Sequence, residues 1–117
     1  MSSDIELIGE GGYGCVIQPA VSNQYKKTYV EYTDRNSTDI GKLFLERKHF
    51  IEELKLLKGI QQIDSGSTFT VKLKGANVFN SEMLNENVLK CLDTYMNTDV
   101  YQIIMEYGGK DLNKFPN

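Results

Sequence analysis

The run Ile8-Gly9-Glu10-Gly11-Gly12-Tyr13-Gly14-Cys15-Val16 constrains this chain more than any other stretch. Its pattern is G-x-G-x-x-G-x-V, and its flanks decide how it folds. Before it, Asp4-Ile5-Glu6-Leu7 alternates polar and apolar residues, the period of a half-buried strand. After Gly14, Cys15-Val16-Ile17-Gln18-Pro19 supplies β-branched residues and then a proline, which favours a strand that soon ends. Strand, glycine loop, strand is a hairpin. A dinucleotide fingerprint would instead open a helix at its last glycines and hold a pyrophosphate on that helix's N-terminus. With no Cβ in the way, glycines at 9, 11 and 14 let backbone N–H groups approach phosphate oxygens, the chemistry of a nucleotide-phosphate cover. A glycine-rich hairpin without a ligand is the bland alternative.

Two later stretches fit around that hairpin. From about Leu45 to Gln62 the apolar residues recur with helical period. At 100° per residue, Phe50, Leu54, Leu56, Leu57 and Ile60 surround Glu53 in one broad arc. A carboxylate inside an apolar stripe is costly unless it is paired, so Glu53 asks for a cation from another element. Lys42, embedded in the strand-like Ile40-Gly41-Lys42-Leu43-Phe44, is the first candidate, and Lys27, after polar Asn23 and Gln24, is its rival. A surface position for Glu53 on a slightly rotated helix is the plainer alternative. Between the hairpin and Lys42, Ala20–Asp39 is polar, with a turn signal at Thr33-Asp34-Arg35-Asn36-Ser37 and a short strand expected at Tyr29–Tyr32. Asp64-Ser65-Gly66-Ser67 ends the helix; Phe69, Val71 and Leu73 then alternate with polar residues as in a strand. Val100–Met105 is apolar on nearly both faces, as a central strand is.

The length of 117 residues is that of one domain, 1–117, with one modest core. Hydrophobic content of 40% with 25% charged residues is that of a globular chain, and a net charge of −3 argues against a nucleic-acid partner. The N-terminus lacks the regions of a signal peptide and no stretch approaches the ~20 apolar residues of a membrane span, so no membrane contact and an intracellular, cytoplasmic site are expected. Cys15 and Cys91 form no CxxC, which predicts free thiols in a reducing compartment. The single histidine, His49, has no zinc-site spacing and reads as a helix residue; no metal ligand set is expected.

With Val16 two residues after the third glycine, the hairpin resembles the ATP-covering loop of eukaryotic-type protein kinases. The strand lysine Lys42, the helix glutamate Glu53 followed by Leu56, Leu57 and Ile60, and the hinge-like Ile104-Met105-Glu106-Tyr107-Gly108-Gly109-Lys110-Asp111-Leu112 extend the resemblance from Ile5 to about Leu112. The wording of the loop and hinge is similar to that of divergent Ser/Thr kinases of large DNA viruses, which would put the protein in host cytoplasm. The resemblance implies an α+β N-terminal lobe: an antiparallel sheet of about five strands and one αC-like helix. It also assigns roles. Ile8, Gly9, Gly11, Gly12, Tyr13, Gly14 and Val16 would cover ATP, with Val16 on the adenine and Tyr13 at the tip. Lys42 would hold the α and β phosphates, positioned by Glu53. Met105 would be the gatekeeper, Glu106 and Gly108 would offer backbone groups to the adenine edge, and Asp111 would reach a ribose hydroxyl.

By the same resemblance, Asn87–Tyr95, the turn Met96–Asp99 and Val100–Tyr107 correspond to strand, turn and strand, which makes Asp64–Glu86 an insertion with room for a strand of its own. On position alone the Phe69–Lys74 alternation is the competing fourth strand. The sequence contains no HRD-type loop and no DFG, so metal ligands and the catalytic base are expected from a C-lobe that these residues do not include, with Mg²⁺ and the protein substrate arriving there. The connection from Val16 to Lys42 is longer, and that from Lys42 to Glu53 shorter, than the family's usual spacing. Two other classes remain open: a non-catalytic module that docks a protein partner on its C-lobe-facing surface, and a Rossmann-type binder, the latter weakened by the strand after Gly14.

Overall fold

The computed structural model describes residues 5–10, 14–33, 35–63, 72–94 and 97–106. Six strands form one antiparallel sheet: β1 (Glu6–Glu10), β2 (Cys15–Gln18), β3 (Tyr25–Val30), β4 (Ile40–Phe44), β5 (Leu73–Asn80) and β6 (Asp99–Met105), in the spatial order β1-β2-β4-β6-β5-β3. Helix α1 (Arg47–Ile63) follows β4, and a shorter helix α2 (Glu86–Leu92) lies between β5 and β6. The class is α+β, with six strands and two α-helices among the described residues where about five and one were expected.

Alternation along the strands splits the core into two layers. On one face Ile40, Phe44, Ala76, Ile103 and Met105 meet Phe50 and Leu54 of α1, and the Phe50 ring lies 5.1 Å from Tyr29, 6.2 Å from Phe44 and 5.2 Å from Tyr101. On the other, Cys15, Ile17, Leu43, Phe79 and Val100 meet Val88 and Leu92 of α2. The rest of that second face is crossed by the chain on its way from β2 to β3 and back to β4. Gln102, fully buried, holds the outward crossing: its Oε1 accepts from Val21 N–H at 2.9 Å, and its Nε2 donates to Val21 O and to Asn77 Oδ1, both at 3.0 Å. The return crossing is held by buried Asp39, which accepts from the Tyr32 hydroxyl, from Asn36 N–H at 3.0 Å and from Lys74 Nζ at 2.9 Å. Burial raises the Tyr32 hydroxyl above its ordinary pKa, and the hydrogen bond to Asp39 pushes it further in the same direction.

Four expectations are corrected. Asn87–Leu92 is helix, not strand: Asn85 caps it by accepting from Val88 N–H at 3.1 Å, and Asp93 ends it in the left-handed region at φ 57°. The strand that precedes β6 in the chain and pairs with it is β5, so Leu73–Asn80, and not Asn87–Tyr95, is its neighbour in the sheet opposite β4. Leu56 is 63% exposed, because α1 seats Phe50, Leu54 and Leu57 and turns Leu56 outward. Cys15 and Cys91 are joined in a disulfide, which removes the free-thiol ground for a reducing compartment. Among the described residues no helix is long and apolar enough to cross a membrane.

Candidate functional site

The centre of the site is one row of the sheet. Gly9 pairs with Val16, Val16 with Lys42, and Lys42 with Ile103, so the hairpin, the strand lysine and the central strand present side chains to the same face. Lys42 lies between Val16 and Ile103, and its ammonium reaches up to α1, where Nζ donates to Glu53 Oε2 at 3.2 Å. The side chains are 15% and 29% exposed, so the pair is sheltered without being sealed. The Lys42 ammonium also lies 5.5 Å from the centre of the Phe44 ring. One side of the cation is thereby fixed, while its remaining exposure leaves it reachable by an anion.

Glu53 takes this position from the rotation of α1 that exposes Leu56. It stands at the border of the buried stripe, on the side facing Lys42, rather than at its middle. Lys27 lies elsewhere: on β3, at the opposite edge of the sheet from the hairpin, it pairs with Val78 and its ammonium sits 4.8 Å over the Tyr29 ring.

The glycines divide by cause. A Cβ on Gly14 would meet Leu43 O at 1.8 Å, so this glycine is required by the approach of the hairpin to β4 whether or not a ligand binds. A Cβ on Gly9 would come no nearer than 3.7 Å, to Val16 Cβ, an ordinary contact, so the fold leaves room there. Beside them, Ile8 occupies the register irregularity between Leu7 and Gly9, and both it and Val16 pack on the α1-side core while remaining partly exposed. Gly11, Gly12 and Tyr13 lie outside the described residues, as do Gly108 and Asp111.

Met105 ends β6 on the same face, opposite Ile40, two residue pairs along from the Lys42–Ile103 pair. It is buried. Glu106 N–H donates to Lys72 O at 2.9 Å, which commits that donor to the sheet; of the two Glu106 backbone groups, the carbonyl is the one an adenine amino group can use. The site therefore gathers Ile8, Gly9, Val16, Lys42, Glu53 and Met105 around one face: apolar walls and one anchored cation. Such a donor set suits a flat apolar ring joined to an anionic tail. Among the described residues no cluster of three or more His, Cys, Asp or Glu side chains could hold a metal ion.

Sequence reasoning missed the cysteine pair beside Gly14, and also Gln102 and Asp39, the buried polar groups that seat the chain crossings under this face. An even cysteine count was the only available signal for the first. Compared with protein-family models, with curated proteins and with solved structures, the chain matches none.

Proposed function

We propose that this chain is the ATP-binding lobe of a Ser/Thr-type protein kinase, holding the nucleotide for phosphoryl transfer to a protein hydroxyl when a C-lobe completes the cleft. The observation that carries the reading is the Lys42–Glu53 ion pair at 3.2 Å, in register with the glycine hairpin through Val16. An unpaired strand lysine on an apolar face would be a liability, whereas one steered by a carboxylate is a preorganised phosphate ligand. In this reading Ile8, Val16 and Met105 hold the adenine and the Glu106 carbonyl accepts its amino group. Lys42 takes the α and β phosphates, and Gly9 leaves the hairpin backbone open to them. ATP supplies the transferable phosphoryl group; Mg²⁺ and the catalytic base belong to the C-lobe, as does the acceptor groove.

The test is a titration of the isotopically labelled chain with ATP, followed by amide and methyl shifts. Weak binding, with a Kd on the order of a millimolar, is expected because one wall of a cleft buries little of a ligand. The shifts should fall on Ile8, Val16, Lys42 and Met105 and disappear in Lys42→Met. Shifts confined to other faces, or none at saturating ATP, would refute the reading. Tight binding with no partner present would favour the non-catalytic binding module instead.

A further inference from the structure

We propose that the Cys15–Cys91 disulfide is a thiol-operated clasp on the glycine hairpin, closing it when oxidised and loosening it, and its hold on nucleotide, when reduced. The nucleotide part rests on the function proposed above. The clasp itself rests on where the bond lies. Cys15 is the residue after Gly14, fully buried in β2, and Cys91 is half-buried on α2, 76 residues away in sequence. The hairpin lies at one edge of the sheet. In the ladder β1 pairs only with β2, and β2 reaches the remaining strands through its pairs Cys15↔Leu43, Val16↔Lys42 and Ile17↔Gly41.

Helix α2 supplies the two ties that this arrangement lacks. Asn85 Nδ2 donates to Ile5 O at 2.7 Å at the start of β1, and Cys91 bonds Cys15 at the start of β2. The helix packs on the hairpin through Cys15 and Ile17, but its core reaches further: Val88 and Leu92 also share it with Phe79, Leu84 and Val100, which keep α2 seated on the rest of the sheet when the tie is cut, so that the loosening falls on the hairpin. The row Gly9-Val16-Lys42 carries any such movement directly to the phosphate lysine.

The chemistry is ordinary exchange with a dithiol. A thiolate of the dithiol attacks the sulfur of Cys91, the partly exposed residue of the pair, and the S–S bond breaks with Cys15 leaving as a thiolate that takes up a proton. The second thiol of the reagent then displaces Cys91. Two electrons and two protons pass to the protein, giving two thiols, and the dithiol becomes a disulfide. Oxidation by a disulfide runs the same steps backwards.

The test compares the whole chain before and after dithiothreitol, with alkylation and mass measurement to count bonded cysteines. Amide exchange in 5–10 and 14–18 is expected to quicken about tenfold or more on reduction, while that of β6 and the first turns of α1 stays unchanged. ATP affinity, read from the Met105 methyl shift, is expected to fall about fivefold, and the Cys15→Ser/Cys91→Ser variant should behave as the reduced protein and ignore dithiothreitol. Exchange that quickens equally everywhere would make the bond a global staple and overturn the clasp. So would an unchanged hairpin, or a purified protein with both thiols free. Equal ATP affinity in both states overturns the nucleotide coupling. If ATP fails to bind in either state, the proposed function fails, and exchange alone then decides the clasp.

Discussion

Gly14→Ala separates packing from ligand chemistry in the glycine motif. The added methyl carbon would lie 1.8 Å from Leu43 O and 3.1 Å from Leu43 C. Both are backbone atoms of a central strand, so no side chain can swing aside, and β2 and β4 must part by more than about an ångström to reach normal contact. That opening disturbs Cys15↔Leu43 and Val16↔Lys42 together, with Cys15 and Leu43 both in the fully buried core. Overpacking of this kind costs about 1–3 kcal/mol, and a clash with immovable backbone belongs at about 3. For a domain of this size the melting temperature should drop by roughly 10 °C. Gly9→Ala is the matched control, because its methyl meets Val16 at 3.7 Å and should change stability by no more than about 0.5 kcal/mol. Urea denaturation of the two variants with unchanged m-value checks this. Equal stability of Gly14→Ala and Gly9→Ala would refute the close approach, and with it the claim that the fold, independent of any phosphate, demands the third glycine.

Lys42→Met should abolish ATP-induced shifts yet cost only about 1–2 kcal/mol in urea, since it strands a Glu53 carboxylate that still has access to water. Gln102→Leu removes both partners of the Val21 backbone and is expected to cost about 2–4 kcal/mol, measured in the same way. Stability should fall as pH rises above about 10, because Tyr25 and Tyr32 both keep their protons longer in the folded chain than in the unfolded one, whose tyrosines ionise near their ordinary value of 10.0. The unfolded state then binds fewer protons, so alkali favours it. Tyr32→Phe should flatten that decline, as followed by thermal melts across the alkaline range, although it also loses the hydrogen bond to Asp39.

The elements legible in the sequence were those whose pattern is local. The hairpin around Gly9–Gly14 and the strand Val100–Met105 follow from alternation and apolarity over a few residues, and α1 follows from its long 3.6-residue period. Fine rotation of α1 was not legible, since its core is centred on Phe50 and Leu54 and Leu56 is excluded only by where β4, β5 and β6 happen to lie. Helix α2 was missed because seven residues give less than two clear turns of periodicity, and its signals were the caps Asn85 and Asp93. Strand β5 was obscured by Gly75 and Asn77: the glycine is there because a Cβ would meet Tyr32 Cβ at 2.7 Å, and the asparagine because Gln102 needs an acceptor. Both reasons belong to chain segments far away in sequence. The same is true of the cysteine pair, whose spacing says nothing about the helix that brings Cys91 over Cys15.

The position of β3 sets an order on how this sheet can be assembled. The strand is made early in the chain but sits at the far edge, where among the described residues its only ladder partner is β5, and β5 in turn is anchored by β6, the last strand described. A chain emerging residue by residue can close the β1–β2 hairpin at once, whereas Tyr25–Val30 must wait until residues beyond 100 are present to complete the surface it joins. Pairing at such sequence distance demands loop closure before any contact rewards it, which places folding in the slow range of small domains, on the order of milliseconds to seconds. During that wait the unpaired strand carries Lys26 and Lys27 side by side, and adjacent charges on an open edge discourage it from pairing with the same strand of another molecule.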